Sequence, residues 1–212
     1  MSLDDELAAW LRLLLTPGLG RASARRLLAA FGSAEAVWAQ PDPAWQAVLG
    51  RDAPAAPDGW DAQREAHARW LDIPGHHAIP LGDPRYPAAL LETEDPPLLL
   101  FVVGDAAALS HPRRVALVGS RNPTAQGADN AHAFAQALAR AGVTVVSGLA
   151  LGVDGAAHQG ALAGAGRNEE ALLQLKSMAR RNKEAALQLL SQNAPALNPL
   201  QPRPSPPPRQ LL

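Results

Sequence analysis

Two short stretches carry the residue types that hold an anion. Gly119-Ser120-Arg121-Asn122 and, downstream, Ser147-Gly148-Leu149 with Gly152 combine glycines, hydroxyls and a guanidinium. Glycine lets a backbone approach a ligand closely and turn its N–H groups outward. A Ser hydroxyl and an Arg fork would complete a phosphate seat. Such glycines also serve simply to make tight turns after strands, and neither G-x-G-x-x-G nor G-x-x-x-x-G-K-[ST] is present. Arg113 and Arg114 add positive charge just upstream. Asp154 and His158, four residues apart, share a helical face and are a candidate pair. A general-base role for them lacks an accompanying nucleophile or metal cluster. Asp154 reads more simply as a helix N-cap, worth about 1 kcal/mol.

The elements that would position these residues follow from the flanking pattern. Val115–Val118 is a short apolar run stopped by Gly119, which reads as a buried strand. Pro123-Thr124 punctuates a loop. Ala125–Ala141 carries Phe134, Leu138 and Ala141 at helical spacing, with Gly142 as its C-terminal cap. A second strand, Val143–Val146, ends at Ser147-Gly148, and a further helix runs from about Asp154 toward Gly164. This alternation is the pattern of a Rossmann-like, doubly wound, mostly parallel α/β sheet, in which ligands bind at the carboxyl ends of the strands.

The stretches VGSRNPTAQG and VTVVSGLALGVDGAAHQGAL together resemble the DNA-processing protein A family (DprA, also called Smf). DPRYPAALLETEDPPLLLFVVGD and the amino-terminal TPGLGRASARRLLAAFGS resemble it too, in the family's order, so the likeness runs from Leu3 to about Arg167. It implies a single-stranded DNA-binding protein, not an enzyme, that protects incoming DNA during natural transformation and helps load the RecA recombinase. The expected DNA contacts are Gly119, Ser120, Arg121, Asn122, Ser147, Gly148, Leu149 and Gly152. Arg113, Arg114, Asp154 and His158 stand in support. Where the family often has a basic residue between Ala150 and Gly152, this chain has Leu151, which removes one phosphate contact.

Composition bounds the alternatives. The 212 residues, 47% hydrophobic, suffice for a medium domain and a small one. There is no cysteine, hence no disulfide framework or Cys-based zinc site, and the six His residues lack H-E-x-x-H spacing. No metal or cofactor is expected. Leu11–Leu15 is too short for a signal or a membrane span, so a cytoplasmic location is expected. Residues 1–167 carry 13 Arg, no Lys and 17 Asp plus Glu, a net of −4, while residues 168–212 carry 6 basic and 3 acidic residues, a net of +3. DNA binding would therefore rest on a local cluster of Arg113, Arg114, Arg121 and the glycine loops, not on bulk charge.

The amino-terminal residues 1–72 read as a small helical domain, SAM-like or helix-hairpin-helix-like. Helical spacing covers 3–15 and 21–31 around Thr16-Pro17-Gly18-Leu19-Gly20, with further helices over Ala34–Gln40, Trp45–Leu49 and Asp61–Trp70. That P-G-L-G turn, followed by Arg21, Arg25 and Arg26, either aims amides at a phosphate or closes a compact hairpin with a solvated basic face, and the hairpin is the plainer reading. All five Trp residues precede Leu71, consistent with a small core there. Residues 73–167 form the expected partial Rossmann-like domain, with strands near Ala78, Leu98, Val115 and Val143. After Arg167 the family's next strand and glycine loop give way to an amphipathic segment over 168–193, with Leu172, Leu175 and Met178 on one face. A tail over 194–212 follows, with seven prolines between Pro195 and Pro208, expected to be disordered. On this reading the sheet is incomplete, and homodimerisation and RecA loading are weakened. A nucleotide- or sugar-phosphate-binding enzyme or sensor, and a non-functional remnant, are the competing readings.

Overall fold

The computed structural model describes residues 4–164; the amphipathic segment 168–193 and the tail 194–212 lie outside the described residues. Helix α1 (Asp5–Leu15) begins where the Asp4 carboxylate accepts the Leu7 N–H at 2.9 Å. Helix α2 (Arg21–Phe31) stops at Gly32, whose φ of +89° favours glycine. Helices α3 (Ala34–Trp38), α4 (Asp42–Leu49) and α5 (Trp60–Leu71) follow. Leu13, Leu27, Val37 and Trp45 are fully buried together, each contributing roughly 1.5–3 kcal/mol. The Trp45 indole donates to the Val37 carbonyl at 3.2 Å, so its one polar atom is satisfied inside that core.

The turn between α1 and α2 is a compact hairpin. Leu19 is buried, and the Thr16 hydroxyl donates to the Arg12 carbonyl at 2.6 Å. The hairpin's basic face is engaged within the protein, not solvated as expected. Arg21 and Arg25 pair with Asp95, Arg25 at 2.7 Å, and Arg25 also donates to the Pro96 carbonyl at 2.9 Å. Arg26 donates to the Val48 carbonyl. Arg51 reaches the turn itself, donating to the Gly18 carbonyl at 2.9 Å.

The four expected strands are present, as two separate pairs. Strand β1 (His76–Pro80) runs antiparallel to β2 (Leu99–Val103), in register from His76 opposite Val103 to Pro80 opposite Leu99. One side of this ribbon buries Ile79, Leu100 and Val102 with Tyr86 and Leu109. On the other side, Leu99 packs with Leu11 and Ala68, and neighbouring Leu98 enters the helical core beside Trp45. Helical and ribbon segments therefore share their cores across Ile73. Tyr86 is a packing residue, 6% exposed, and its hydroxyl donates to the Pro97 carbonyl at 2.8 Å. A short helix α6 (Ala88–Leu91) and a 3-10 turn (Ala106–Ser110) have no counterpart in the sequence reading.

Strand β3 (Arg114–Ala116), helix α7 (Ala125–Arg140), strand β4 (Thr144–Val146) and helix α8 (Val153–Gly164) form the α/β unit. β3 and β4 are parallel, Arg114 opposite Thr144 and Ala116 opposite Val146, as the alternating pattern requires, but β3 is exposed and not the buried strand expected. Helices α7 and α8 meet backbone to backbone. A Cβ at Gly160 would lie 2.1 Å from the His132 carbonyl oxygen, and one at Gly164 would lie 2.4 Å from that of Gln136. Small Ala131 and Ala135 are buried in α7, whereas Phe134 is exposed.

Two measurements follow. Gly160→Ala should force α7 and α8 apart and lower stability by about 2–4 kcal/mol in urea unfolding. His67 is buried with its ring donating through Nδ1 to the Gln63 carbonyl at 2.7 Å, and burial holds its pKa below the ordinary value. The unfolded chain then binds the proton more readily, so stability is lost as pH falls through the unfolded value of about 6.5. The urea midpoint should drop from about pH 7 to about pH 5, and His67→Leu should flatten that limb.

Candidate functional site

The parallel ladder hands over directly to two loops. Beyond β3 the Leu117 N–H still bonds to the Val146 carbonyl at 2.9 Å, and the Ser147 hydroxyl donates back to the Leu117 carbonyl at 2.6 Å. Ser147 therefore ties the two strand ends together through its hydroxyl proton. Loop one then turns on itself, with the Asn122 N–H bonding to the Ser120 hydroxyl oxygen at 3.1 Å. Thr124 caps α7 by accepting the Gly127 N–H at 3.1 Å.

Loop two is held from the helix that follows it. Asp154 lies inside the first turn of α8, not before it, so it is no N-cap. Its carboxylate accepts the Gly148 N–H at 3.1 Å and the Ala150 N–H at 3.4 Å through one oxygen, Oδ2. Gly148 thus gives its amide to Asp154. Leu149 takes φ +58° and Gly152 φ +82°.

The loops are locked to each other at Gly152. A Cβ there would lie 2.4 Å from the Ser120 carbonyl oxygen and 2.6 Å from that of Arg121, and the Val153 N–H bonds to the Ser120 carbonyl at 3.1 Å. Gly119 is needed for the same approach, since a Cβ on it would sit 2.9 Å from the Val153 side chain. Ser120, Arg121 and Asn122 remain exposed on this joined rim. Among the described residues no ion pair involves Arg121.

Other expected members are elsewhere. Arg113 and Arg114 lie at the opposite end of β3, and the rise of an extended chain puts Arg113 roughly 20 Å from Gly119. Arg114 donates to the Leu109 carbonyl. The basic cluster is therefore Arg121 alone. His158 is half-buried, and its Nε2 has no partner among the described residues. The carboxylate of Asp154 is turned to the loop amides, so the Asp154–His158 pair is not formed. A cavity of about 280 Å³ on the parallel pair, lined by Leu90, Leu109, Ala116 and Val146 with Arg114 and Ser147, had no signal in the sequence.

Comparison with known proteins places this arrangement. The profile described as DNA recombination-mediator protein A matches residues 77–201, and the one described as a DprA-like N-terminal HHH domain matches residues 4–68. Protein Smf of Escherichia coli K12 is 46% identical over 98 residues, 46% of this chain and 26% of that protein. DNA processing protein DprA of Bacillus subtilis is 40% identical over 93 residues, 44% of this chain and 31% of that protein. The matched stretch thus spans less than a third of either curated relative. The X-ray structure of DNA processing protein A from Streptococcus pneumoniae overlays with a TM-score of 0.55 at 28% identity, covering 78% of this chain and 56% of that chain.

The Gly152 contact yields a direct test. Gly152→Ala adds a side chain both at a left-handed φ and against loop one. It should lower stability by about 2–4 kcal/mol, read as a shift in the urea midpoint.

Proposed function

The chain belongs to the DNA recombination-mediator protein A family, and from that premise we propose that its joined loops seat the backbone phosphates of single-stranded DNA. The observation that carries this reading is the lock at Gly152. It fixes two glycine loops at the carboxyl ends of adjacent parallel strands and leaves the Arg121 guanidinium exposed on their common rim. Backbone phosphates are recognised by charge and by amide and hydroxyl donors, without reading bases. Arg121 supplies the charge, Ser120 and Asn122 supply side-chain donors, and Gly119 and Gly152 allow the close approach. Ser147, Gly148 and Asp154 act behind this rim, holding it in shape.

On the same reading this is a cytoplasmic binding protein rather than an enzyme, with the Asp154 carboxylate serving to hold loop amides. It would cover incoming single strands during transformation. Loading of RecA and homodimerisation are the further roles that membership of this family implies.

Titration against labelled oligo-dT and against free nucleotides, each at two salt concentrations, tests the reading. Arg121→Ala should weaken oligo-dT binding by about 1–3 kcal/mol and reduce the salt slope by roughly one contact. Unchanged affinity and slope would remove the loop site, and preference for a free nucleotide would replace DNA as its ligand.

A further inference from the structure

Loop two holds one residue where its side chain disfavours the backbone. Leu149, with φ +58°, is the single non-glycine at positive φ among the described residues. A branched side chain persists there only where its surroundings hold it. The two amides flanking it, those of Gly148 and Ala150, bond to the same Oδ2 of Asp154 at 3.1 and 3.4 Å. Asp154 is 6% exposed and anchored in α8, so the clamp is fixed to a helix and not to the loop. Gly148 permits the approach, since a Cβ on it would lie 2.9 Å from that oxygen. The Leu149 N–H, between the two clamped amides, has no protein acceptor among the described residues.

We propose that Asp154 is a positioning residue of the phosphate seat: it clamps the amides on either side of Leu149, holds the left-handed turn, and so presents the Leu149 N–H to a DNA phosphate. This rests on the single-stranded DNA reading above. It gives a buried acid a role beside an anion site, because its charge is met by amide donors and not by the ligand. It also explains why loop two contributes to the seat although its Ser147 hydroxyl and Gly148 amide are engaged within the protein.

The full chain with Asp154→Asn, Asp154→Ala and Asp154→Ala combined with Leu149→Gly tests the proposal. Both bonds converge on one oxygen, so the asparagine carbonyl can replace it while alanine cannot. Amide hydrogen exchange at Gly148 and Ala150 should stay slow in Asp154→Asn and become fast in Asp154→Ala. Oligo-dT affinity should stay within about twofold of the parent in Asp154→Asn and fall about tenfold in Asp154→Ala. Glycine adopts the left-handed turn freely, so Leu149→Gly should recover part of that loss. Equal losses in Asp154→Asn and Asp154→Ala, or lost protection with unchanged affinity, would overturn the proposal. The exchange measurement needs no DNA. A parent chain that fails to bind oligo-dT therefore overturns the site reading, while the exchange pattern still decides the clamp.

Discussion

Backbone meets backbone where Gly152 lies against the carbonyls of Ser120 and Arg121, and the α/β unit is a closed circuit built on that contact. From loop one the chain enters α7 under the Thr124 cap. It returns through β4 and loop two, and leaves along α8, whose first N–H bonds back to Ser120. The two helices then meet again at Gly160 and Gly164. Moving one loop without the other would break either the Gly152 contact or the helix seam. The rim that carries Arg121 is thus a single part, fixed at both ends by positions where only a hydrogen atom fits.

The amino-terminal helices are joined to the rest by different means. Apolar side chains do most of it, with Leu98 and Leu99 from the ribbon entering cores that also contain Trp45 and Leu11. Charge adds a local fastening where Arg21 and Arg25 converge on Asp95, all three partly solvent-facing. Exposed pairs of this kind contribute little individually, on the order of 0–1 kcal/mol. Their consequence is one of availability, because guanidiniums held by a carboxylate and by backbone carbonyls are not standing ready for phosphate.

What the sequence made legible was local. Strands ended by glycine, the Thr124 and Gly142 boundaries of α7, and the helical runs around Pro17-Gly18 are all set by neighbours in the chain, and the structure has them within a few residues of the expected places. Two partnerships went unseen for one cause. Asp95 lies 70 residues from Arg25, and Leu117 lies 30 from Ser147, so no spacing rule could have shown that these groups were already partnered. Asp154 was misread for a subtler reason. α8 begins two residues before the start that an Asp154 cap implies, which turns the carboxylate from the helix it was expected to cap toward the loop behind it. Gly160 and Gly164 have a visible spacing, but only the positions of the His132 and Gln136 carbonyls give it meaning.

The parallel pairing of β3 with β4 also sets an order in time. Its ladder is three residue pairs long and joins segments separated by the whole of α7. Closing so long a loop costs chain entropy before so short a ladder can offset it. α7, whose hydrogen bonds and Thr124 cap are all local, can form on the timescale of an isolated helix. The ladder, the Ser147 tie and the Gly152 contact all depend on that long-range closure, and loop-closure entropy sets them after the helix. On that order the loop rim carrying Arg121 is complete only when the whole circuit is.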